Sequence, residues 1–468
     1  MNKIIRCTRC VMDNNTDPDI YFYRNGTCNY CTDALKHMSE MYYPNEHGEL
    51  KIQEMVKQLK NQNFGSKYDC IMGISGGLDS SYLLYLGKQW ELIILCVHVD
   101  DGFNTNTANE NVAKLLKATD YDCISVKPCF PQYNALLKAY LKASVPTVTI
   151  PQDNVLFAEL YSIIQREGIS YFLSGGNFAQ ESINTKSYGT LMGADLINIQ
   201  SIHGAHGTEP IDKLSFFSTD EYNRFKELGI ETITPLNYIN YNKKDALITL
   251  SKFCDYQYYE GKHLENIWTA FMHTVWLPQK FGLDLRTNYL SSLIISGQID
   301  RDEALLILKQ PYCDAEKLAM YISVIKNRLN ITDVEFDDIM SAPVRQHTDF
   351  ENSEEYKRNL FTIPTSINVD TKVIIFGAGN WGEYAYKILE GRCSIIGFYD
   401  NNDEKHFTEF FSRKILPPPG HLMHRDCQEN LVVIACKDSD SVITQLNKSG
   451  YGRGIYKFDY DESLIYKV

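Results

Sequence analysis

The sequence has no apolar stretch long enough to cross a bilayer. Its strongest run, Leu92–Val99, is strand length, far short of the ~20 apolar residues a membrane helix needs. The first ten residues, Met1–Cys10, carry no apolar leader. A cytoplasmic location without a membrane span is expected. Net basic charge is missing too: 46 Lys and Arg stand against 59 Asp and Glu, a formal charge of −13. Bulk electrostatics oppose nucleic acid, and no such partner is expected. No internal repeat is present, and Pro417-Pro418-Pro419-Gly420, the one compositional oddity, reads as a stiff loop. With 44% apolar and 22% charged residues over 468 positions, disordered, collagen-like and small disulfide-stapled chains are excluded. The length leaves room for about three domains.

An even disulfide framework is also lacking, since the cysteines number 13 and are scattered. In a reducing compartment most are small buried hydrophobes. Four differ. Cys7-Thr8-Arg9-Cys10 and Cys28-Asn29-Tyr30-Cys31 give C-x2-C-x17-C-x2-C, two knuckles that offer four thiolates in the tetrahedron Zn²⁺ prefers. A module of 1–45 buries little core, so a metal staple is reasonable. With every position filled by Cys, the Zn²⁺ role is structural.

Residues 60–240 alternate strand-like runs (Tyr68–Gly73, Leu92–Val99, Cys123–Val126, Tyr171–Ser174) with helical patterns, the signature of a parallel α/β sheet. Residues 241–342 read as helical, 343–369 as a polar, Glu-rich linker, and 370–468 as a separate βαβ pattern. The first strand, Cys70–Ile74, runs into Ser75-Gly76-Gly77-Leu78-Asp79-Ser80-Ser81 and an apolar helix. Gly76 and Gly77 let backbone N–H groups turn toward an anion. The helix start adds partial positive charge, and three serines add hydroxyls. Asp79 suits the first helical turn and is a candidate Mg²⁺ ligand. No lysine is present, so this is not the G-x4-G-K-[ST] loop. The second strand ends in His98-Val99-Asp100-Asp101-Gly102; Asp100 or Asp101 is a candidate for a ribose hydroxyl, an adenine amine or Mg²⁺. A later strand ends in Ser174-Gly175-Gly176-Asn177, where Asn177 caps a helix carrying Glu181.

Ser75–Ser80 resembles the PP-loop of the N-type ATP pyrophosphatases, which cleave ATP to AMP and pyrophosphate while adenylating a substrate oxygen. The resemblance implies a second nucleotide contact at Gly175, Gly176 and Asn177. Further motifs narrow it: Tyr259-Glu260-Gly261-Lys262-His263, and Leu290-Ser291-Ser292-Leu293-Ile294-Ile295-Ser296-Gly297-Gln298-Ile299 with Arg301, Glu303 and Ala304. With the Cys module in front, residues 1–340 resemble the N-acetyl sugar amidotransferases of surface-polysaccharide and flagellin-glycan synthesis. These turn an acetamido group into an acetamidino group. The resemblance implies ATP and Mg²⁺ and an acceptor that is a nucleotide-activated N-acetyl sugar. It makes Ser75, Asp79, Ser80, Lys262 and His263 the catalytic candidates, with Gly76, Gly77, Ser81, Asp100 and Asp101 also on the nucleotide. Lys262 and His263 are expected to neutralise phosphates or touch the sugar, and Arg286 is a further basic candidate. No N-terminal cysteine and no nucleophile elbow around a Cys is present. Ammonia is therefore expected from partner subunits, in the family a glutaminase and a cyclase-like barrel.

The last pattern is strand Lys372–Phe376, Gly377-Ala378-Gly379-Asn380-Trp381-Gly382, a helix, and strand Ile395–Tyr399 ending in Asp400, 18 positions after Gly382. This is the full context of a Rossmann-like dinucleotide turn, with Gly377, Gly379, Gly382 and Asp400 as contacts. The domain is short and lacks the second mononucleotide half, which favours nucleotide-sugar binding or a structural role over redox chemistry. Two readings compete with the amidotransferase. One is a tRNA-thiolating PP-loop enzyme, which needs a basic face. The other is a nucleotide-sensing scaffold without catalysis. His203-Gly204-Ala205-His206 reads as a polar turn, and most of the 31 Tyr and 22 Phe read as core or interface.

Overall fold

A computed structural model describes residues 4–17, 20–62, 67–185, 193–259, 261–419, 430–451 and 454–468. Glu260 of the 259–263 motif, Gly420, Met1 and Asn2 lie outside the described residues. The chain divides into two compact units, one built on residues 30–352 and one on residues 353–468, with the N-terminal residues apportioned between them.

The larger unit holds a five-stranded parallel sheet. Its strands are β1 (Cys70–Gly73), β2 (Ile94–Val99), β3 (Cys123–Val126), β4 (Tyr171–Leu173) and β5 (Glu231–Ile233), in the order β3-β2-β1-β4-β5. Alternate side chains leave opposite faces. Cys70, Met72, Ile94 and Cys96 enter one core with helices Leu78–Gln89 and Lys243–Cys254. Ile71, Leu95 and Val97 enter another with helices Ile150–Glu167 and Thr219–Glu227. Both faces are covered, which is why the strands read as continuous apolar runs. The strand order reverses at β1, so the turn after β1 sits at the switch point where such sheets bind ligands.

A third core is helical. It gathers Trp268, Phe271, Trp276, Ile325 and Phe336 around helices Phe130–Ala143 and Ala315–Leu329. Within it, Met272–Phe281 is a π-helix that contains Pro278. The stretch expected to be a linker, 343–369, is structured: Ser353–Leu360 is helical, and Phe350, Phe361 and Ile367 are buried. His203 and His206 end a helix, Leu196–His206, instead of lying in a turn.

The smaller unit has seven strands: β6 (Lys372–Phe376), β7 (Ser394–Tyr399), β8 (Glu409–Phe410), β9 (Arg413–Leu416), β10 (Leu431–Ile434), β11 (Ile455–Asp459) and β12 (Leu464–Lys467). The order is β12-β11-β10-β6-β7-β9-β8. The inner pairs are parallel, and β8 and β12 close the two edges antiparallel.

Candidate functional site

The turn after β1 is built around one left-handed residue. Gly76 has φ +79°, and a Cβ there would lie 2.3 Å from the Ala108 carbonyl oxygen, so only glycine fits. Gly77 is the N-cap of Leu78–Gln89. Its N–H donates to Ser75 Oγ (3.1 Å), Leu78 N–H donates to the Tyr259 hydroxyl (3.0 Å), and the Tyr256 hydroxyl donates to Gly76 O (2.9 Å). The first-turn N–H groups of Asp79 and Ser80 remain for a ligand, since a helix start leaves its first donors unpaired. Both residues line a cavity of about 210 Å³ with Ser75, Gly175, Glu181, Lys243, Lys262 and Glu265. Ser80 Oγ lies 3.4 Å from Ser75 Oγ, whereas Ser81 is buried.

The second glycine loop lies against the first. A Cβ on Gly175 would lie 3.1 Å from Ser80 N. Asn177 caps helix Phe178–Glu181 by accepting from Gln180 N–H (3.1 Å), as its sequence position predicts. That helix turns Gln180 and Glu181 into the cavity, where Lys262 Nζ donates to Glu181 (2.9 Å) and Gln180 (3.2 Å). Asp79 accepts from the Tyr241 hydroxyl and from Gln180 Nε2 (3.4 Å), and Lys262 stands 3.9 Å away. Burial raises the Asp79 pKa, opposed by the Lys262 charge and the Tyr241 hydrogen bond.

Asp100 and Asp101 separate in role. Asp101 is buried and accepts from Phe103 N–H (2.9 Å), Gln152 (2.6 Å) and Asn266 (3.1 Å). Burial raises its pKa against these bonds. Asp100 accepts from Gly102 N–H (3.0 Å) and pairs with Lys127 (3.0 Å). Burial pushes its pKa up, but these partners outweigh it and the net shift is downward. Asp101 also lines an apolar cavity of about 310 Å³ at the ends of β1, β2 and β4, walled by Val99, Leu156, Phe157 and Phe172. A flat, largely apolar base suits that lining.

A third cavity, about 380 Å³, shares Gln180, Glu181, Lys262, His263 and Tyr289 with the first and has a mixed lining, with Thr149, Asn184, Thr269 and Asn288 beside Ile183, Met272, Leu285 and Tyr312. Burial, then the Lys262 charge, hold the His263 imidazole well below its ordinary pKa. Burial thus disfavours the charged form of His263. Arg286 is spoken for by Asp284 (2.7 Å) and the Gln310 carbonyl (2.8 Å). The serine-rich motif at 290–301 works behind the site. Ser292 Oγ accepts from Ile183 N–H (3.0 Å), Ser296 Oγ donates to Ala179 O (3.0 Å), and Gln298 Nε2 donates to Tyr241 O (2.7 Å). It fixes the residues that face the cavities without lining the phosphate turn itself.

Residues 265–362 match the family model described as LPS biosynthesis protein WbpG-like, C-terminal domain. The matched stretch begins at Glu265 and supplies His273, Asn288, Tyr289 and Tyr312 to the third cavity. The uncharacterized protein MJ1599 of Methanocaldococcus jannaschii is 27% identical over 173 residues, 36% of this chain; the chain spans 58% of that relative's length. Among solved structures, NMN synthetase from Francisella tularensis is 15% identical, covering 62% of this chain and 95% of that one, with a TM-score of 0.27. The NH3-dependent NAD synthetase from Campylobacter jejuni is 14% identical, covering 67% and 98%, TM-score 0.27. UDP-D-quinovosamine 4-dehydrogenase from Vibrio fischeri is 20% identical, covering 21% and 94%, TM-score 0.19.

Several site residues escaped the sequence reading: Tyr241, Lys243, Glu265, His273 and Asp153. Glu265 is 9% exposed, with one carboxylate oxygen unpartnered and the other 2.6 Å from a Cβ position on Gly77. Burial, reinforced by the nearby Asp79 charge, pushes its pKa up to about 7. Lys243 opens helix Lys243–Cys254 and lines the cavity at the Ser75–Ser80 turn; burial lowers its pKa against the pull of Asp79. Only the aromatic run at 256–259 hinted at the Tyr256 and Tyr259 struts.

The metal candidates come together. Cys7, Cys10, Cys28 and Cys31 are fully buried, with all four Sγ atoms within 4.8 Å of one another. A tetrahedral S4 zinc site has sulfurs about 3.8 Å apart. Cys7 Sγ accepts from Cys28 N–H (3.2 Å) and Arg9 N–H (3.4 Å), as a thiolate ligand would. The donor set fits Zn²⁺. In the smaller unit, Gly382 must lack a side chain, because a Cβ would lie 1.8 Å from Gly377 O. Gly379 caps helix Asn380–Leu389. Asp400 is committed locally: its Oδ2 accepts from Ala378 N–H (2.8 Å) and Lys405 Nζ (3.2 Å), and its Oδ1 from Asn402 N–H (2.9 Å).

Proposed function

We propose that the chain is a nucleotide-using enzyme of surface-glycan synthesis, an ATP-dependent amidotransferase that converts the acetamido group of a nucleotide-activated N-acetyl sugar to an acetamidino group. The observation that carries this reading is the run of three adjoining cavities. An apolar one suits adenine, the S-G-G-x-D-S turn suits a triphosphate, and one of mixed lining, with amide and hydroxyl side chains beside apolar ones, suits an N-acetyl sugar. The WbpG-like match over 265–362, which supplies much of the third wall, supports the glycan assignment.

An amide oxygen is a poor leaving group. Attack of that oxygen on the α-phosphorus of ATP expels pyrophosphate and leaves an O-adenylated imidate. Ammonia then adds to the carbon and AMP departs. The N–H groups of Asp79 and Ser80, with Lys243 and Lys262, are placed to hold the diphosphate as it leaves. Mg²⁺, held by the phosphates with Asp79, would neutralise the charge that builds there. Closure of the protein around the three cavities limits hydrolysis of the activated amide.

On this reading residues 60–240 and 241–342 form the catalytic domain, 1–45 its zinc-stapled module, and 370–468 a Rossmann-like domain for a nucleotide sugar or for structure. Ammonia comes from a glutaminase through a cyclase-like partner in the cytoplasm. The test is mass spectrometry of a nucleotide-sugar extract incubated with the protein, ATP, Mg²⁺ and ammonium chloride. One component should lose about 1 Da, oxygen replaced by NH, with AMP and pyrophosphate formed. ATP consumption with no such product sinks the proposal.

A further inference from the structure

His263 and His273 face the polar cavity from different elements, and each sits on unusual backbone. His263 has φ +62°, a left-handed conformation that is strained for a non-glycine residue and clusters at functional sites. His273 is the second residue of the π-helix Met272–Phe281, a geometry concentrated at functional sites. The two rings meet edge to face, 5.8 Å between centroids. Both line the cavity of about 380 Å³, and His263 also lines the phosphate cavity. Neither ring has a hydrogen-bond partner among the described residues. Two strained or irregular segments thus converge to present two open imidazoles beside the point where the phosphate and acceptor cavities join.

The surroundings set their charge. Lys262 adjoins His263, Asp284 lies near His273, and Glu181 and Asp153 stand on the same cavity wall. Burial, then Lys262, lowers both pKa values, that of His273 to about 4, with Asp284 opposing weakly. Burial thus disfavours the charged form of both rings, and what leaves them open as acceptors is the lack of a hydrogen-bond partner on either ring among the described residues.

We propose that His263 and His273 are the proton acceptors of this chamber, serving a small neutral nitrogen nucleophile as it bonds to an activated carbonyl carbon. The inference rests on the adenylation reading above. The ammonia lone pair forms the C–N bond, and the nitrogen passes one proton to an imidazole nitrogen. The C–O bond then breaks, its electron pair leaving with AMP. The amidine keeps the remaining hydrogens, and the imidazolium returns its proton to solvent. No oxidant or reductant enters.

The test uses the full chain with ATP, Mg²⁺, ammonium chloride and the nucleotide-sugar extract, comparing wild type with His273→Asn and His263→Asn. Pyrophosphate release in the first turnover reports adenylation, and amidine mass reports nitrogen capture. Amidine formation should fall about 100-fold in both variants, the usual contribution of a positioned base, while His273→Asn, which lies outside the phosphate cavity, keeps the pyrophosphate burst. Hydroxylamine, a stronger nucleophile that is neutral at pH 7, should restore capture. Wild-type amidine rates in both variants overturn the proposal. So does loss of the burst in His273→Asn with an unchanged melting temperature. The unsubstituted protein offers a second route, acylation by diethyl pyrocarbonate followed by peptide mapping. Modification of both rings with the burst intact supports the pair; abolished amidine formation with both rings unmodified overturns it. Absence of any burst in wild type removes the adenylation reading itself.

Discussion

Replacing Glu265 by Gln should stabilise the protein at alkaline pH and leave it nearly unchanged in acid. Glu265 is 9% exposed, and its pKa rises from 4.5 to about 7, first through burial. A raised acid binds its proton more tightly in the folded than in the unfolded chain. Its favourable contribution is thus complete below 4.5 and is lost as pH climbs through about 7. At 1.36 kcal/mol per pK unit the loss is about 3 kcal/mol. Glutamine keeps the shape without the charge. Urea denaturation of the two proteins at pH 4.5 and pH 8 measures the difference. The variant should gain about 3 kcal/mol on wild type between those conditions. The charge also faces Gly77 in the phosphate turn, so a triphosphate should bind with proton uptake near pH 7. Calorimetry in buffers of different ionisation heat would show it for wild type and not for Glu265→Gln. Parallel stability curves for the two proteins would refute the reasoning.

Gly76→Ala should abolish ATP binding, because φ +79° and an Ala108 carbonyl 2.3 Å from the new methyl force the turn open at a cost of at least about 1–3 kcal/mol; equilibrium dialysis with ATP checks it. Lys243→Met should weaken ATP binding about tenfold, or about 1.4 kcal/mol, and flatten its salt dependence. Cys28→Ser should lower zinc content from one ion per chain and reduce the melting temperature, read by elemental analysis and calorimetry. Gln298→Ala should cost about 1 kcal/mol of stability through the lost bond to Tyr241 O and slow pyrophosphate release by loosening Tyr241 on Asp79.

What the sequence showed and hid follows from contact range. β1 and its turn are legible because strand, glycines and helix start are consecutive. The paired cysteines are legible because ligand spacing within each knuckle is local. Tyr241 was not, since it meets Asp79 across 162 positions. Glu265 and His273 were hidden for the same reason: nothing in their neighbours reveals the cavities they enter. The motif at 290–301 was visible as a pattern, but its serines and Gln298 turn out to brace other segments. The charge-rich stretch at 343–369 looked loose because composition does not show the three apolar anchors, Phe350, Phe361 and Ile367, buried along it.

The bracing has a practical side. Val11 N–H donates to Ser291 Oγ (3.2 Å), Arg301 Nε donates to Cys10 O (3.0 Å), and Val11 packs with Leu290, Leu293 and Ala304. The same 290–301 motif anchors Ile183, Ala179 and Tyr241 through Ser292, Ser296 and Gln298. Trimming the chain to begin near residue 45, a tempting way to isolate the sheet-bearing half, would strip an arginine and a serine of their partners. It would also bare an apolar seam behind the residues that line the candidate site.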